Sequence, residues 1–427
     1  MKKLLIITSL ISPFVCADSN SFFSDSQLNF ELQNKYNGIL SSRYNKNGQD
    51  SLLNWAQTVS MDFKSGYIND TLGFDLGLYA IDPIKTGNQF QHIKVLDYTT
   101  DSNGTPDPKG FAKVQTATLK QKFKISDFDV DLYEGQRVLR DFGALNRTDE
   151  FTESAYFGLT GEAKSKKWEI KSGYITQYSE ASSPHKVDLE TKDNHKIDYI
   201  YTVDATYNKD NKSFRYYIGE GKDYMRSQML SFKYGFKNKS VTAKIVSSTA
   251  LAKYKDMPSY NRLFEDNAYL GEIKFESFSR SSYLAVGIDH VQANRSYSIG
   301  KFENDLSGNS VGNNTYMAHG FTKDFTNNAE TSIAAMYFND VTDELKIGLM
   351  TQYGFGFKYK GEDISEYELI AVGIYSPQAV KGLSITLAGG PNHSFRRSYD
   401  NTPYLNNNGN VMKFTGSSYI AKVTYSF

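Results

Sequence analysis

From residue 27 onward the sequence alternates, one residue apolar and the next polar. Leu28, Phe30 and Leu32 are separated by Asn29 and Glu31. Leu72, Phe74, Leu76 and Leu78 alternate with Gly73, Asp75 and Gly77. Tyr199, Tyr201, Val203, Ala205 and Tyr207 form one face, opposite Asp198, Thr202, Asp204 and Thr206. Residues 345–359 repeat the pattern, with Lys346, Gln352 and Lys358 on the polar side. A period of two belongs to a strand with two unlike faces, and no segment longer than two turns carries the 3.6-residue period of an amphipathic helix. The chain is therefore expected to be all-β, with almost no helix.

Asn69-Asp70, Lys237-Asn238-Lys239, Asn327-Asn328 and Asn339-Asp340 punctuate these runs as turns. Longer polar connections cover residues 97–109, 179–196, 293–314 and 392–410. No break in composition marks a second domain. Alternation suits either a soluble sandwich, apolar side inward, or a membrane barrel, apolar side toward lipid. Aromatic residues make up 14% of the chain, including 31 Tyr and 28 Phe, yet the mean hydropathy is −0.51. Interfacial aromatic girdles around a wet, ionised interior reconcile these two facts, so a transmembrane antiparallel β-barrel is expected. No apolar run reaches the roughly 18 residues of a membrane helix. With 48 basic and 48 acidic side chains, nothing points to a nucleic-acid partner.

The chain starts Met1-Lys2-Lys3, continues apolar through residues 4–15 and reaches Val15-Cys16-Ala17. This reads as a signal peptide, residues 1–17, leaving residues 18–427 as one outer-membrane barrel domain. Lipidation at Cys16 is the alternative, but Pro13-Phe14-Val15 lacks the small residues such a site needs. At the other end, Tyr419, Ala421, Val423, Tyr425 and Phe427 alternate with Lys422, Thr424 and Ser426. In that last strand, Tyr425 with Phe427 reads as an assembly signal. At roughly 9–11 residues per tilted span, the length suits about eighteen strands, with about sixteen as the alternative. Alternation alone yields about nineteen runs, one too many for an even-numbered closed barrel.

Several segments resemble the OprD-type family of bacterial outer-membrane specific porins. Phe23-Ser24-Asp25-Ser26 is similar to the family's opening, and Trp55-Ala56-Gln57, Ser65-Gly66-Tyr67 and Gly73-Phe74-Asp75-Leu76 to its second hairpin. Gln136-Arg137-Val138-Leu139-Arg140 stands where the family has a Ser-Arg-Leu-Leu-Pro segment, and Lys381-Gly382-Leu383-Ser384 resembles the start of its penultimate strand. The resemblance implies an 18-stranded barrel with a loop folded into the lumen. It also implies a narrow pore for amino acids, peptides, organic acids or sugars. The chain departs from the pattern at Asp141, where the family has proline, and at residues 385–388, where the family often carries a basic residue.

Selectivity in such a pore comes from charge at its narrowest place. The segment 134–153 is the expected constriction, with Arg137, Arg140 and Arg147 to attract planar anions and Asp141, Asp149 and Glu150 to oppose them. The competing reading places these arginines on an outer loop, paired with neighbouring acids. Lys64, Asp127, Asp129, Asp131, Lys346, Lys358, Lys413 and Lys422 are expected on a lumen charge ladder, and Arg396-Arg397 is a candidate collecting patch outside. A barrel hydrolase is the main alternative function and an adhesin the next. The six histidines have no metal-ligand spacing, and Asp289-His290 is the lone acid–histidine pair on a strand. No cofactor or metal is expected. The expected partners are small hydrophilic solutes, outer-membrane lipid and lipopolysaccharide, and the barrel-assembly machinery. The chain is expected to act as a monomer or homotrimer in a Gram-negative outer membrane.

Overall fold

The computed structural model describes residues 21–40, 52–93, 95–148, 151–321, 323–398 and 400–427. The proposed signal peptide, Asp149 and Glu150 lie outside the described residues. Eighteen strands form the wall. They begin with β1 (Gln27–Leu40), β2 (Leu52–Lys64), β3 (Leu72–Thr86), β4 (Phe111–Ile125), β5 (Phe128–Arg137) and β6 (Ala155–Lys164). Next come β7 (Trp168–Ser179), β8 (Ile200–Lys209), β9 (Lys212–Gly221), β10 (Met225–Phe236), β11 (Lys239–Ala250) and β12 (Asn267–Phe278). The wall is completed by β13 (Ser282–Ala293), β14 (Thr331–Asp340), β15 (Leu345–Tyr359), β16 (Glu362–Tyr375), β17 (Leu383–Phe395) and β18 (Lys413–Ser426). Each strand pairs antiparallel with the next, and β18 pairs back onto β1. The ring has no open edge, which a sheet in hydrocarbon requires.

The alternation places the apolar residues outside. Leu119 is 58% exposed and Ile273 59%, whereas Asp204 is 2% and Glu272 3% exposed. A sandwich would reverse those numbers, so the apolar belt faces lipid. One end of the barrel is plain. Its turns include Ser126-Asp127, Asp210-Asn211 and Lys237-Asn238, whose first residues all have positive φ, as tight hairpins with right-handed strand twist require. The other end carries the long connections, among them 87–110, 138–154, 180–199, 251–266, 294–330 and 396–412. Hence the polar stretch that begins at residue 293 runs on to residue 330. Asn327-Asn328, expected as a turn between strands, lies inside this connection, which accounts for the uneven number of runs and restores the alternation of plain and elaborated ends.

The bore is not uniformly wet. Leu139, Phe142, Leu145, Tyr156, Tyr217, Tyr254, Phe264, Phe302 and Leu306 belong to one buried cluster that packs loop residues against inward-facing wall residues. Part of the interior is thus a hydrophobic core, and the remaining space is offset from it.

Candidate functional site

Two loops, rather than one, fold inward. In loop 138–154, the backbone N–H of Gly143 donates to Asp204 Oδ2 at 3.3 Å and that of Ala144 to Thr202 Oγ1 at 2.9 Å. Both acceptors face inward from β8. Gly143 has φ +60°, and a Cβ there would collide with Thr202 Oγ1, so the loop needs glycine at this contact. Arg215 on β9 locks it: its guanidinium reaches Asp141 Oδ1 at 2.8 Å and Asp204 Oδ2 at 2.7 Å. Burial works to raise the Asp141 pKa, but Arg215 outweighs it and holds the carboxyl below its usual range.

Loop 294–330 lies beside it, against the inner wall of the later strands. Phe321 N–H donates to Glu368 Oε2 at 2.7 Å, and Lys323 Nζ meets Glu366 Oε2 at 2.5 Å. The two loops are joined by Asn146 N–H to Val311 O at 3.0 Å and Asn313 N–H to Ala144 O at 3.1 Å. Together they fill the bore in front of the later strands and leave space in front of β18 and β1–β7.

That space holds two adjoining polar cavities of about 620 and 590 Å³. The first is lined by Glu31, Lys35, Arg140, Arg147, Glu153 and Lys422, among others. The second is lined by Lys64, Asp75, Lys120, Arg137, Glu162 and Lys171, among others. Lys35 and Lys422 sit directly opposite each other across the seam that closes the ring. Two like charges in such a pair are unfavourable. Lys35 is also held over the Phe151 ring at 4.8 Å.

The arginines expected at the constriction take different places. Arg137 faces the second cavity from β5, with Glu162 Oε1 at 2.8 Å and the Tyr133 ring 3.9 Å away. Arg140 and Arg147 converge on one oxygen, Glu153 Oε1, at 2.6 and 2.9 Å. Burial lowers the Arg147 pKa; Glu153 opposes that shift and Arg140 adds to it. The acid facing these arginines is therefore Glu153. Asp141 does not oppose them, because it turns away to Arg215.

The ladder divides as well. Lys64 and Lys422 line the cavities. Asp129 and Asp131 stand opposite the inward Lys124 and Lys122 across β4 and β5. Lys346 is on the inner side near the plain end, 3.3 Å from Asp340. Three expectations are corrected. Asp127 is in the two-residue turn and not on the wall. A bulge between Gly354 and Phe357 reverses the alternation, so Phe357 turns inward and Lys358 outward to Asp363 at 3.1 Å. Lys413 shares the outward parity of Tyr419 and Tyr425 and pairs with Glu362 at 3.0 Å near the elaborated end. Arg397 is also no collecting residue: it is 4% exposed, over the Phe395 ring at 4.9 Å. Asp289 is buried inside while His290 points outward to Thr331 Oγ1 at 2.9 Å, so the two cannot act together.

Sequence reasoning missed Lys35, Lys113, Lys120, Lys171, Glu153 and Arg215. For the inward lysines the signal was available, since each has an apolar neighbour of the opposite parity: Tyr36, Val114, Leu119 and Ile170. For Glu153 and Arg215 it was not, because Glu153 depends on the irregular path of its own loop and Arg215 on a partner 74 residues away.

A closed bore, narrowed by inserted loops and walled with charge, defines a diffusion channel of the outer membrane. The chain belongs to the OprD family: the model for "outer membrane porin, OprD family" matches residues 20–364. It is thus a porin of the Gram-negative outer membrane for small hydrophilic solutes. A search of the curated proteins finds no match. Among solved structures, OccAB1 of Acinetobacter baumannii is 14% identical with a TM-score of 0.74, covering 96% of this chain and 98% of that one. OccAB3 of the same organism is 16% identical, TM-score 0.72, covering 95% and 100%. Pseudomonas aeruginosa OpdK, solved with vanillate, is 16% identical, TM-score 0.69, covering 95% and 99%. At these identities the likeness is one of fold.

Proposed function

We propose that the channel favours small anions, carboxylates foremost, and passes them passively along the charged side of the bore. The observation that carries this reading is the convergence of Arg140 and Arg147 on a single carboxylate beside open space, with Lys35, Lys64, Lys120, Lys171 and Lys422 around it. A guanidinium pair suits a planar carboxylate, and the flanking lysines raise the local anion concentration. OpdK, a relative in fold, was solved with vanillate, a small aromatic carboxylate. Arg137, Arg140 and Arg147 set the selectivity, and Lys64 and Lys422 form the approach. Residues 1–17 serve as a cleaved export signal, and Tyr425 with Phe427 form the segment met by the assembly machinery. Lipid and lipopolysaccharide surround the apolar belt. One chain closes the bore by itself, which supports a working monomer.

The test is reversal potential in planar bilayers under a KCl gradient. R137Q and R140Q together should move it toward cation preference, and an unchanged potential would remove both from the selective region.

A further inference from the structure

Glu153 occupies the place where an anionic solute would bind. We infer that it is a tethered counter-ion that competes with the solute for Arg140 and Arg147, so that transit proceeds by carboxylate exchange. This rests on the carboxylate reading above. Its Oε1 takes both guanidiniums, and Oε2 takes only a long contact from Gln115 Nε2 at 3.3 Å among the described residues.

The backbone beneath is fixed independently. Lys113 Nζ donates to Glu153 O at 3.2 Å, Tyr79 Oη to Phe151 O at 2.6 Å, and Thr152 Oγ1 to Ala181 O. The carboxylate can therefore swing about its side-chain torsions while the loop stays put. Arg140 is the accessible partner, with its side chain 64% exposed against 21% for Arg147. Two guanidiniums meet at one oxygen of Glu153, so a second carboxylate arriving at Arg140 finds a cation already poised for one. The Arg140 side of the cluster is open to solvent, so its contact with Glu153 is one that a second carboxylate can displace.

Position favours the exchange. Asn29, Asp62, Gln115, Arg140 and Glu153 line both cavities, so the ion pair stands on their common boundary. A solute crossing from one cavity to the other meets it.

The experiment compares wild type, E153Q, E153D, R140Q and E153Q/R140Q in planar bilayers, with succinate as the probe and heat-modifiable gel migration to confirm folded barrels. Succinate should interrupt wild-type current briefly. E153Q should shift the reversal potential toward anions and lengthen the interruptions by about two- to fivefold, the factor equivalent to an exposed ion pair. E153D, with its charge withdrawn by one methylene, should fall between, and it carries the test if E153Q does not fold. The E153Q effect should vanish when R140Q is present. Interruptions in wild type that E153Q and E153D leave unchanged, or that E153Q lengthens equally without Arg140, overturn the exchange while leaving the carboxylate reading standing. Normal conductance with no response to succinate and no effect of R140Q overturns the carboxylate reading, and the exchange with it.

Discussion

Arg215 shows how single side chains set the bore. It joins Asp141 of the inserted loop to Asp204 of the wall, and Asn313 of the second loop donates to Asp141 Oδ1 at 2.7 Å. Replacing it with Met leaves two carboxylates facing each other without their cation. Asp204 is the buried member, its side chain 3% exposed against 46% for Asp141, so the cost falls toward the low end of the about 3–5 kcal/mol of a fully buried pair. R215M is therefore expected to lower the temperature at which the folded barrel converts on gels, and to give larger, noisier single-channel currents as the loop detaches. Currents identical to wild type would show that the loop is held elsewhere. The sequence made Arg137 and Arg140 legible because they follow a strand with Asp129 and Asp131 at alternate positions. It left Glu153 and Arg215 hidden. Glu153 owes its role to the way its own loop folds back, 13 residues from Arg140, and Arg215 to the insertion of that loop against the wall, 74 residues from Asp141.

Among the elements, loop 294–330 departs most from the alternating pattern. The strands were legible because lipid on one side and charge on the other impose a strict period. Tyr316, Met317, Ala318 and Phe325 obey no such rule, since they bury themselves on an inner wall and in clusters. The loop also rests on a bare strand end: a Cβ at Gly221 of β9 would collide with Leu306 O. G221V should push the loop off the wall without removing any charge, raising conductance with little change in ion preference. A shift in preference alone would contradict this. Within the loop, His319 meets Asp324 at 2.5 Å and Lys301 reaches the same carboxylate at 3.0 Å. Asp324 raises the His319 pKa above 6.5. Burial works to raise that of Asp324, but Lys301 and His319 outweigh it and hold it well below 3.8. The histidine's contribution is thus complete below pH 6.5 and fades as pH rises through its higher folded value. The half-exposed pair limits it to less than about 1 kcal/mol. Amide exchange over residues 316–326, corrected for intrinsic rates, should quicken modestly between about pH 6 and 9 in wild type and stay flat in H319Q.

At the scale of the whole molecule, the barrel and its orientation to lipid were legible, whereas the partial filling of its interior was not. Alternation reports which side of a strand is apolar but says nothing about how much loop the inner side will receive. Closure depends on β1 and β18. Phe427 N–H donates to Phe30 O at 3.0 Å, Phe30 N–H returns the bond to Phe427 O at 2.9 Å, and the two rings stack 5.5 Å apart. F427A removes the ring but keeps the ladder. It should reduce the amount of folded protein in outer-membrane fractions while leaving the currents of molecules that do assemble unchanged; wild-type yields would show that the ring is dispensable. The lysines on either side of this seam have a further effect. Lys35 arrives with the first strand and Lys422 with the last, so until the ring zips shut they sit on separate margins. The step that seals the ring against the membrane is therefore also the step that completes the lysine pair beside the first cavity.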